Sequence, residues 1–507
     1  MEKILVVDYG SQFNQLIARR VRECGVYSEI VEYDTPLEVF KDPQVKGIIL
    51  SGGPNSVYDK NAPSIDKNIF DLGKPILGIC YGMQITQYAL GGKIDSCDKR
   101  EYGKSILKTL KASNILEGVA KESVVWMSHQ DHVTELAEGF EAVANTDTCT
   151  AVAVNQEKKI YNVQFHPEVT HSEFGVKIIE NFINICETKR SWTMHSYIEK
   201  TIQEIKDEVK DQKVILGLSG GVDSSVVAML VHRAIGDNLT CIFVDTGLLR
   251  KNEGDKVMEV YGNHYKMNIQ RVNAQDLFLN ELKGVKEPES KRKIIGKLFV
   301  QVFEKAKADQ QDAQYLAQGT IYPDIIESST KGTGATIKSH HNVGGLPSEL
   351  SFKLLEPLKD LFKDEVRKVG IELGMPKELV NRHPFPGPGL GVRVIEEVTK
   401  EKVKILQEAD DVFISELIEN NLYHESSQAF VALLPCKSVG VMGDGRTYEY
   451  ACVIRSVNTQ DFMTATFTRL PYEFLDKVAT RIVNEVAGIN RVVYDITSKP
   501  PGTIEWE

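Results

Sequence analysis

A chain of 507 residues is too long for one hydrophobic core and, at roughly 100–200 residues per domain, points to about three or four of them. With 42% hydrophobic and 26% charged residues it has the composition of a soluble globular protein rather than a disordered or fibrous one. A net charge of −11 argues against nucleic acid as a main partner and still leaves room for a local basic pocket that binds phosphate.

The N-terminal MEKILVVDYGSQF enters a short apolar run at once, with no h-region and cleavage site, so no signal peptide is expected. No uncharged apolar stretch approaches the ~20 residues needed to span a membrane. The eight cysteines, Cys24, Cys80, Cys97, Cys149, Cys186, Cys241, Cys436 and Cys452, form no CxxC and no cysteine/histidine cluster along the chain. Neither a disulfide framework nor a zinc site is expected, and the cytoplasm is the natural compartment. Seven of the eight read as small apolar residues.

Through the first two thirds, short β-branched runs alternate with helical patterns, which predicts α/β domains built on parallel sheets. Residues 3–8 (KILVVD), 46–51 (KGIILS) and 75–79 (PILGI) read as buried strands ending in glycine-rich turns. A further extended piece begins at 163–165, and a helix is expected over 174–186. A polar helix at 194–212 opens a new unit, which places a boundary near Arg190. That unit has strands at 213–218 (KVILGL) and 240–245 (TCIFVD) and closes after an amphipathic helix at 363–372. The run HPFPGPGLG at 383–391 marks a linker or a rigid loop. Residues 392–507 hold two helical stretches and two or three strands and read as α+β. The expected division is therefore 1–190, 191–382 and 383–507.

The first chemical motif is Gly78-Ile79-Cys80-Tyr81-Gly82, between a buried strand and a helical stretch at 83–90. A turn of this type forces the central residue into a strained, exposed position, and the flanking glycines make room for it. The helix N-terminus beside Cys80 favours a thiolate. Downstream, Gln164-Phe165-His166-Pro167-Glu168 supplies a partner. Pro167 biases His166 towards extended geometry, where residues i and i+2 point to one side, so Glu168 is placed to orient the imidazole of His166. His166 then exchanges a proton with Cys80.

With GICYGMQ at 78–84, His166, Glu168 and Ser51-Gly52-Gly53-Pro54, the first 190 or so residues resemble the class I glutamine amidotransferases. The resemblance implies that Cys80 attacks the glutamine side-chain carbonyl, expels ammonia and leaves a glutamyl thioester for water. It also implies that the N–H groups of Gly53 and Tyr81 face the oxyanion and that Gln84 helps bind glutamine.

The second motif, Ser219-Gly220-Gly221-Val222-Asp223-Ser224-Ser225, follows a strand and precedes a helix expected at 226–234. Glycines at such a turn let backbone N–H groups cradle phosphate at the helix N-terminus. The loop is not a Walker A sequence, because the lysine of that motif is absent. It resembles the loop of the N-type ATP pyrophosphatases, which implies binding of ATP phosphates by residues 219–225 and adenylylation of a substrate oxygen. Asp223 would serve Mg²⁺, although a helix-capping carboxylate is an equally ordinary use of that residue.

Further segments resemble the GMP synthase family: KRKIIG at 291–296, QGTIYPDIIES at 318–328, IKSHHNVGGLP at 337–347, SQAFVALLP at 427–435, GVMGDGR at 440–446 and KPPGTIEWE at 499–507. Arg292, Lys338, His340 and His341 are suitable partners for nucleotide phosphates, and Asp324 and Glu327 lie one helical turn apart. By the same resemblance, Lys499 and Arg491 hold the phosphate of xanthosine monophosphate (XMP), Gln428, Ile504 and Glu505 contact the nucleotide, and Arg292 contributes from the preceding domain. The fold implied is a class I amidotransferase domain, an ATP pyrophosphatase domain and a small α+β dimerisation domain. The substrates implied are glutamine, ATP and XMP, with Mg²⁺, in a homodimer. Two departures from the family pattern stand out: Gln130 where a glycine is expected, and Gly391 where an alanine is expected.

Overall fold

The computed structural model describes residues 1–308, 310, 312–329, 352–459, 462 and 464–507. It divides into two compact units, Met1–Tyr197 and Ile198–Glu507. No helix among the described residues is long and apolar enough to cross a membrane.

In the first unit the strand Lys3–Asp8 pairs in parallel with Tyr27–Glu32 on one side and Val45–Leu50 on the other. Ile76–Ile79 and Ile160–Val163 extend that parallel series. Four antiparallel strands, Thr150–Asn155, Glu141–Asn145, Lys93–Thr109 and Glu122–Glu135, complete a nine-stranded sheet. The parallel strands are nearly continuous runs of Val, Ile and Leu because both faces are covered. Leu5, Val7, Ile48, Leu50 and Ile76 all sit in one apolar core with Met83 and Ile85. Helices flank the sheet at Asn14–Glu23, Tyr81–Ala89 and Gly175–Ile185.

Chain order runs outward from Lys3–Asp8 in both directions, so the carboxyl ends of the neighbouring strands open a crevice, the usual place for a ligand in such a sheet. The turns at residues 51–53 and at Cys80 lie at those ends. Gly82 shows how tightly they are packed: a Cβ built there would lie 2.1 Å from the Leu50 carbonyl oxygen. Gly82→Ala is therefore expected to lower the stability of this unit by about 3 kcal/mol or fold poorly, because backbone rather than a mobile side chain must move. An unchanged urea midpoint would contradict that packing.

The division between the units falls inside the helix Met194–Val209, and the second unit goes on to an all-parallel five-stranded sheet. Its order is Asn268–Asn273, Leu239–Asp245, Lys213–Gly217, Ala313–Ala317 and Lys353–Leu355. Here too the chain first moves to one side of Lys213–Gly217 and then returns to the other, which places the crevice beside that strand's carboxyl end. A second sheet contains Gln428–Met442, Gly445–Asn458, Thr466–Phe467 and Ile489–Tyr494, covered by the helices Lys400–Glu419 and Tyr472–Glu485. One apolar cluster runs through both parts, from Ile242 and Phe303 to Phe413, Val431 and Ile482.

The proline- and glycine-rich run at 383–391 is a packed loop. His383 stacks on Tyr423 with ring centroids 3.8 Å apart, and Leu390 is fully buried. Burial lowers the His383 pKa to about 4, so the ring is neutral and accepts at Nδ1 from the Ala429 N–H. Both departures from the family pattern are accommodated. Gln130 is exposed in the strand Glu122–Glu135 and is not among the residues with left-handed backbone. At Gly391 a Cβ would press on the Ile295 methyl end at 2.9 Å, a flexible neighbour.

Candidate active site

Cys80 caps the helix Tyr81–Ala89 with φ 52° and ψ −106°, a conformation that a residue with a Cβ enters only under constraint. The constraint is visible on both sides. A Cβ at Gly78 would meet Asn162 Oδ1 at 2.4 Å, and the Gly82 N–H donates to the Ser51 carbonyl at 2.9 Å. The helix begins two residues earlier than the hydrophobic period implies, so the thiol stands directly at its N-terminus.

His166 Nδ1 donates to Glu168 Oε1 at 2.7 Å, with both residues buried. The strand ends at Val163, so these residues share a face in a turn rather than in an extended segment. The His166 backbone is pinned by its N–H on the Trp126 carbonyl and by Ser172 Oγ, which donates to its carbonyl at 2.6 Å. Burial by itself disfavours the imidazolium. The Glu168 charge and hydrogen bonds to Cys80 and Glu168 outweigh it and raise the His166 pKa to about 10. His166 is thereby held in its protonated form beside Cys80.

The loop at 51–53 packs over this pair. A Cβ at Gly52 would lie 3.1 Å from His166 Cε1 and 3.8 Å from Cys80 Cβ, and one at Gly53 would strike the Tyr9 carbonyl. Gln84 is buried, and its amide nitrogen donates to the Asp131 carbonyl at 2.7 Å. The Ser128 carbonyl and the Gln164 amide flank the thiol at 3.8 and 3.9 Å. Ser128 and Arg20, whose Nε donates to the Glu168 carbonyl, were not signalled by any motif.

In the second unit, the Ser219–Ser225 turn leaves the strand Lys213–Gly217 and enters the helix Val222–Ile235. The sequence pattern places that helix start at 226. Serine hydroxyls move it forward, because Ser224 and Ser225 both donate to the Gly221 carbonyl. Gly220 has φ +74°, and Gly221 serves as N-cap without a side-chain bond. Asp223 is therefore inside the first turn and makes an ion pair instead of a cap: Lys363 Nζ reaches its two oxygens at 2.5 and 2.6 Å. Gly319 packs against Asp223, and Arg382 holds the Gly220 carbonyl at 2.7 Å while pairing with Glu253. Lys363, Arg382 and Glu253 are site residues that the sequence reading missed. Asp324 Oδ2 accepts from the Ile321 N–H at 3.0 Å, a local turn bond. Lys338, His340 and His341 lie outside the described residues, as does the side chain of Glu327.

The last residues of the chain fold back onto the second sheet. Arg455, fully buried, donates to the carbonyls of Thr497, Thr503 and Ile504 and pairs with Asp495. Glu505 is held by Arg393 through two bonds of 2.8 and 3.0 Å and by Gln428 at 2.7 Å. Arg292 donates to the Glu507 carbonyl, and Lys291 pairs with the Glu507 side chain. Arg292, Gln428, Ile504 and Glu505 are thus linked through one tail. Arg491 and Lys499 have other partners: Arg491 donates to Ser438 Oγ and Lys499 to the Phe462 carbonyl. Arg393 and Arg455 organise the tail and were also missed.

Residues 5–186 match the family model for class-I glutamine amidotransferase, 194–289 that for NAD synthase, and 415–506 that for the GMP synthase C-terminal domain. Over its full length the chain is similar to curated proteins named glutamine-hydrolysing GMP synthase. It is 59% identical to one from Fusobacterium nucleatum over 99% of both chains, and 58% identical to one from Mesoplasma florum over 100% of this chain and 99% of that one. It is 56% identical to one from Clostridium tetani, again over 100% of this chain and 99% of the other. With both chemical motifs intact and alignment from end to end, the chain belongs to the family of glutamine-hydrolysing GMP synthases.

Proposed function

We propose that the chain converts XMP to GMP, using glutamine as nitrogen donor and ATP as activator, and releases glutamate, AMP and pyrophosphate. The observation that carries the reading is the array at Cys80: a strained cysteine at a helix N-terminus beside a protonated His166 that Glu168 holds in place, so that the sulfur attacks as the thiolate of an ion pair and His166 carries the proton. Cys80 Sγ attacks the glutamine amide carbon while the N–H groups of Gly53 and Tyr81 receive the oxyanion. His166 delivers its proton to the leaving nitrogen, then takes one from the water that opens the thioester. Gln84 anchors the wall of this pocket and contributes to glutamine binding.

At the second site, N–H groups of the 219–225 turn bind the β,γ-phosphates of ATP, and the C2 oxygen of XMP attacks the α-phosphorus with loss of pyrophosphate. Ammonia then displaces AMP at C2. The two oxygens of Asp223, gathered now around an ammonium, are hard donors of the kind Mg²⁺ takes, so the residue fits a metal brought in with ATP. Mg²⁺ bound there supplies charge neutralisation on the phosphates. Lys363 is free to turn from Asp223 to the same phosphates, since both side chains are only partly buried.

The division of labour follows the three segments: glutamine hydrolysis in 1–190, ATP use in 191–382, and dimerisation with XMP binding in 383–507. The C-terminal sheet exposes Val439, Val441 and Tyr448, an apolar surface suited to a second copy, and the reaction belongs in the cytoplasm. The NAD synthase match over 194–289 favours one alternative acceptor, a deamido-dinucleotide. Against it stands the tail that brings Gln428, Ile504 and Glu505 together.

Lys499 tests the acceptor assignment. A charge-assisted contact to the XMP phosphate is worth about 1.5–3 kcal/mol, so Lys499→Ala should raise the XMP requirement roughly ten- to a hundred-fold and leave that for ATP nearly unchanged. Equal loss for both nucleotides in a folded variant, or no loss for XMP, would remove Lys499 from the site.

A further inference from the structure

Outside the chemistry described above, Glu101, His129 and Cys149 bring a carboxylate oxygen, an imidazole nitrogen and a sulfur within 4.8 Å of one another. Their spacing along the chain gives no hint of it. The sheet makes the cluster: Glu101 on Lys93–Thr109 is paired directly with His129 on Glu122–Glu135, and Cys149 precedes the strand Thr150–Asn155. We propose that these three side chains bind a divalent transition ion of the Zn²⁺ class, holding the strand segment that lines Cys80.

Three observations point the same way. His129 Nδ1 lies 3.1 Å from the Asp131 carbonyl, which can only accept, so Nδ1 donates there and the ring is oriented with Nε2 towards Glu101. That Nε2 is buried and without a hydrogen-bond partner, yet sits 3.4 Å from Glu101 Oε2. A buried ring nitrogen without a hydrogen-bond partner, beside a carboxylate oxygen and a sulfur, is an arrangement that a shared metal ion satisfies.

The spacing suits a metal. Tetrahedral Zn²⁺ with bonds of about 2.0–2.1 Å to N and O and about 2.3 Å to S requires N–O and S–O edges of roughly 3.4 and 3.6 Å. The corresponding distances here are 3.4 Å for His129 to Glu101 and 3.7 Å for Cys149 Sγ to Glu101 Oε2. The carboxylate is also oriented from outside: Ser105 Oγ donates to its Oε1 at 2.7 Å, and Thr148 Oγ1 donates to Oε2. Ligands fixed by such partners are typical of metal centres. On binding, the Cys149 thiol gives its proton to solvent and the thiolate becomes the third ligand, leaving one position open.

The consequence for the amidotransferase site is positional. His129 stands between Ser128, whose carbonyl is 3.8 Å from Cys80 Sγ, and Asp131, whose carbonyl takes the Gln84 amide. A bound ion ties that segment to the strand Lys93–Thr109 and to the turn that precedes Thr150–Asn155.

The test uses the full chain carrying Cys80→Ala, so that the amidotransferase thiol cannot bind the probe. After chelator treatment, titration with Co²⁺ should give one ion per chain with a near-ultraviolet thiolate-to-cobalt charge-transfer band, displaced by Zn²⁺. Adding Cys149→Ser should remove the band, and adding His129→Gln should weaken binding at least about tenfold, with circular dichroism confirming the fold. Absence of stoichiometric Co²⁺ uptake by the Cys80→Ala chain overturns the proposal and leaves an imidazolium–carboxylate pair. A charge-transfer band that survives Cys149→Ser overturns it as well. Should Cys149→Ser not fold, the titration of the Cys80→Ala chain and its His129→Gln derivative decides.

Discussion

Cys80→Ala is expected to abolish GMP formation from glutamine, by about four orders of magnitude or more, and to leave formation from ammonium salts at high pH close to that of the unaltered chain. Removing a nucleophile that acts as a unit with its base costs the whole of covalent catalysis, and nothing else in the pocket replaces a sulfur at that position. The neighbours of Cys80 at 3.8 and 3.9 Å are a carbonyl and an amide, neither of which is a nucleophile. The fold should survive, because alanine keeps the Cβ and the strained φ of 52° is imposed by Gly78 and Gly82 on either side. ATP use rests on a different sheet, with its own turn at 219–225. Loss of both nitrogen sources in a folded variant would sink the division of labour.

Asp223→Asn should do the opposite: both nitrogen sources fail together. The substitution preserves size and removes one charge, so it takes away the partner of Lys363 and, on the proposed reading, a hard oxygen ligand for the metal that accompanies ATP. Metal-assisted stabilisation of phosphoryl charge is worth several kcal/mol, which at about 1.4 kcal/mol per decade is a fall of roughly a hundred- to a thousand-fold in XMP-dependent AMP release. Stability should change little, because the ion pair is partly exposed and such pairs contribute about 0–1 kcal/mol. Near-normal turnover with unchanged Mg²⁺ dependence would show that Asp223 serves the fold alone. Glutaminase activity of Cys80, followed in the same preparation, separates a local effect from unfolding.

How legible these sites are in the sequence depends on whether their parts are neighbours in the chain. His166 and Glu168 are two residues apart, and the glycines of the 78–82 turn flank the residue they serve, so short-range geometry brings them forward. Strand positions such as Lys3–Asp8 and the helix Lys363–Glu372 are plain from apolar runs and periodicity. Helix starts at Tyr81 and Val222 are not, because they are set by a strained cap and by serine hydroxyls turned back on Gly221, which hydrophobic period does not record. Contacts across the fold are least visible. Lys363 meets Asp223 across 140 residues, and Arg393 meets Glu505 across 112. A lone arginine inside an apolar run, as in Val392-Arg393-Val394 or Ile454-Arg455-Ser456, is the one available signal, since a buried guanidinium must find partners. The tail it serves could be recognised only by its likeness to the family.

The most direct test is acceptor-dependent release of AMP. The unaltered chain is given ATP, Mg²⁺ and glutamine, with XMP in one reaction, a deamido-dinucleotide in a second and no acceptor in a third, and AMP, pyrophosphate and GMP are counted. The expected result is one AMP and one pyrophosphate for each GMP with XMP, and background AMP in the other two. AMP release driven by the deamido-dinucleotide, or ATP cleavage with XMP that yields no GMP, would contradict the account.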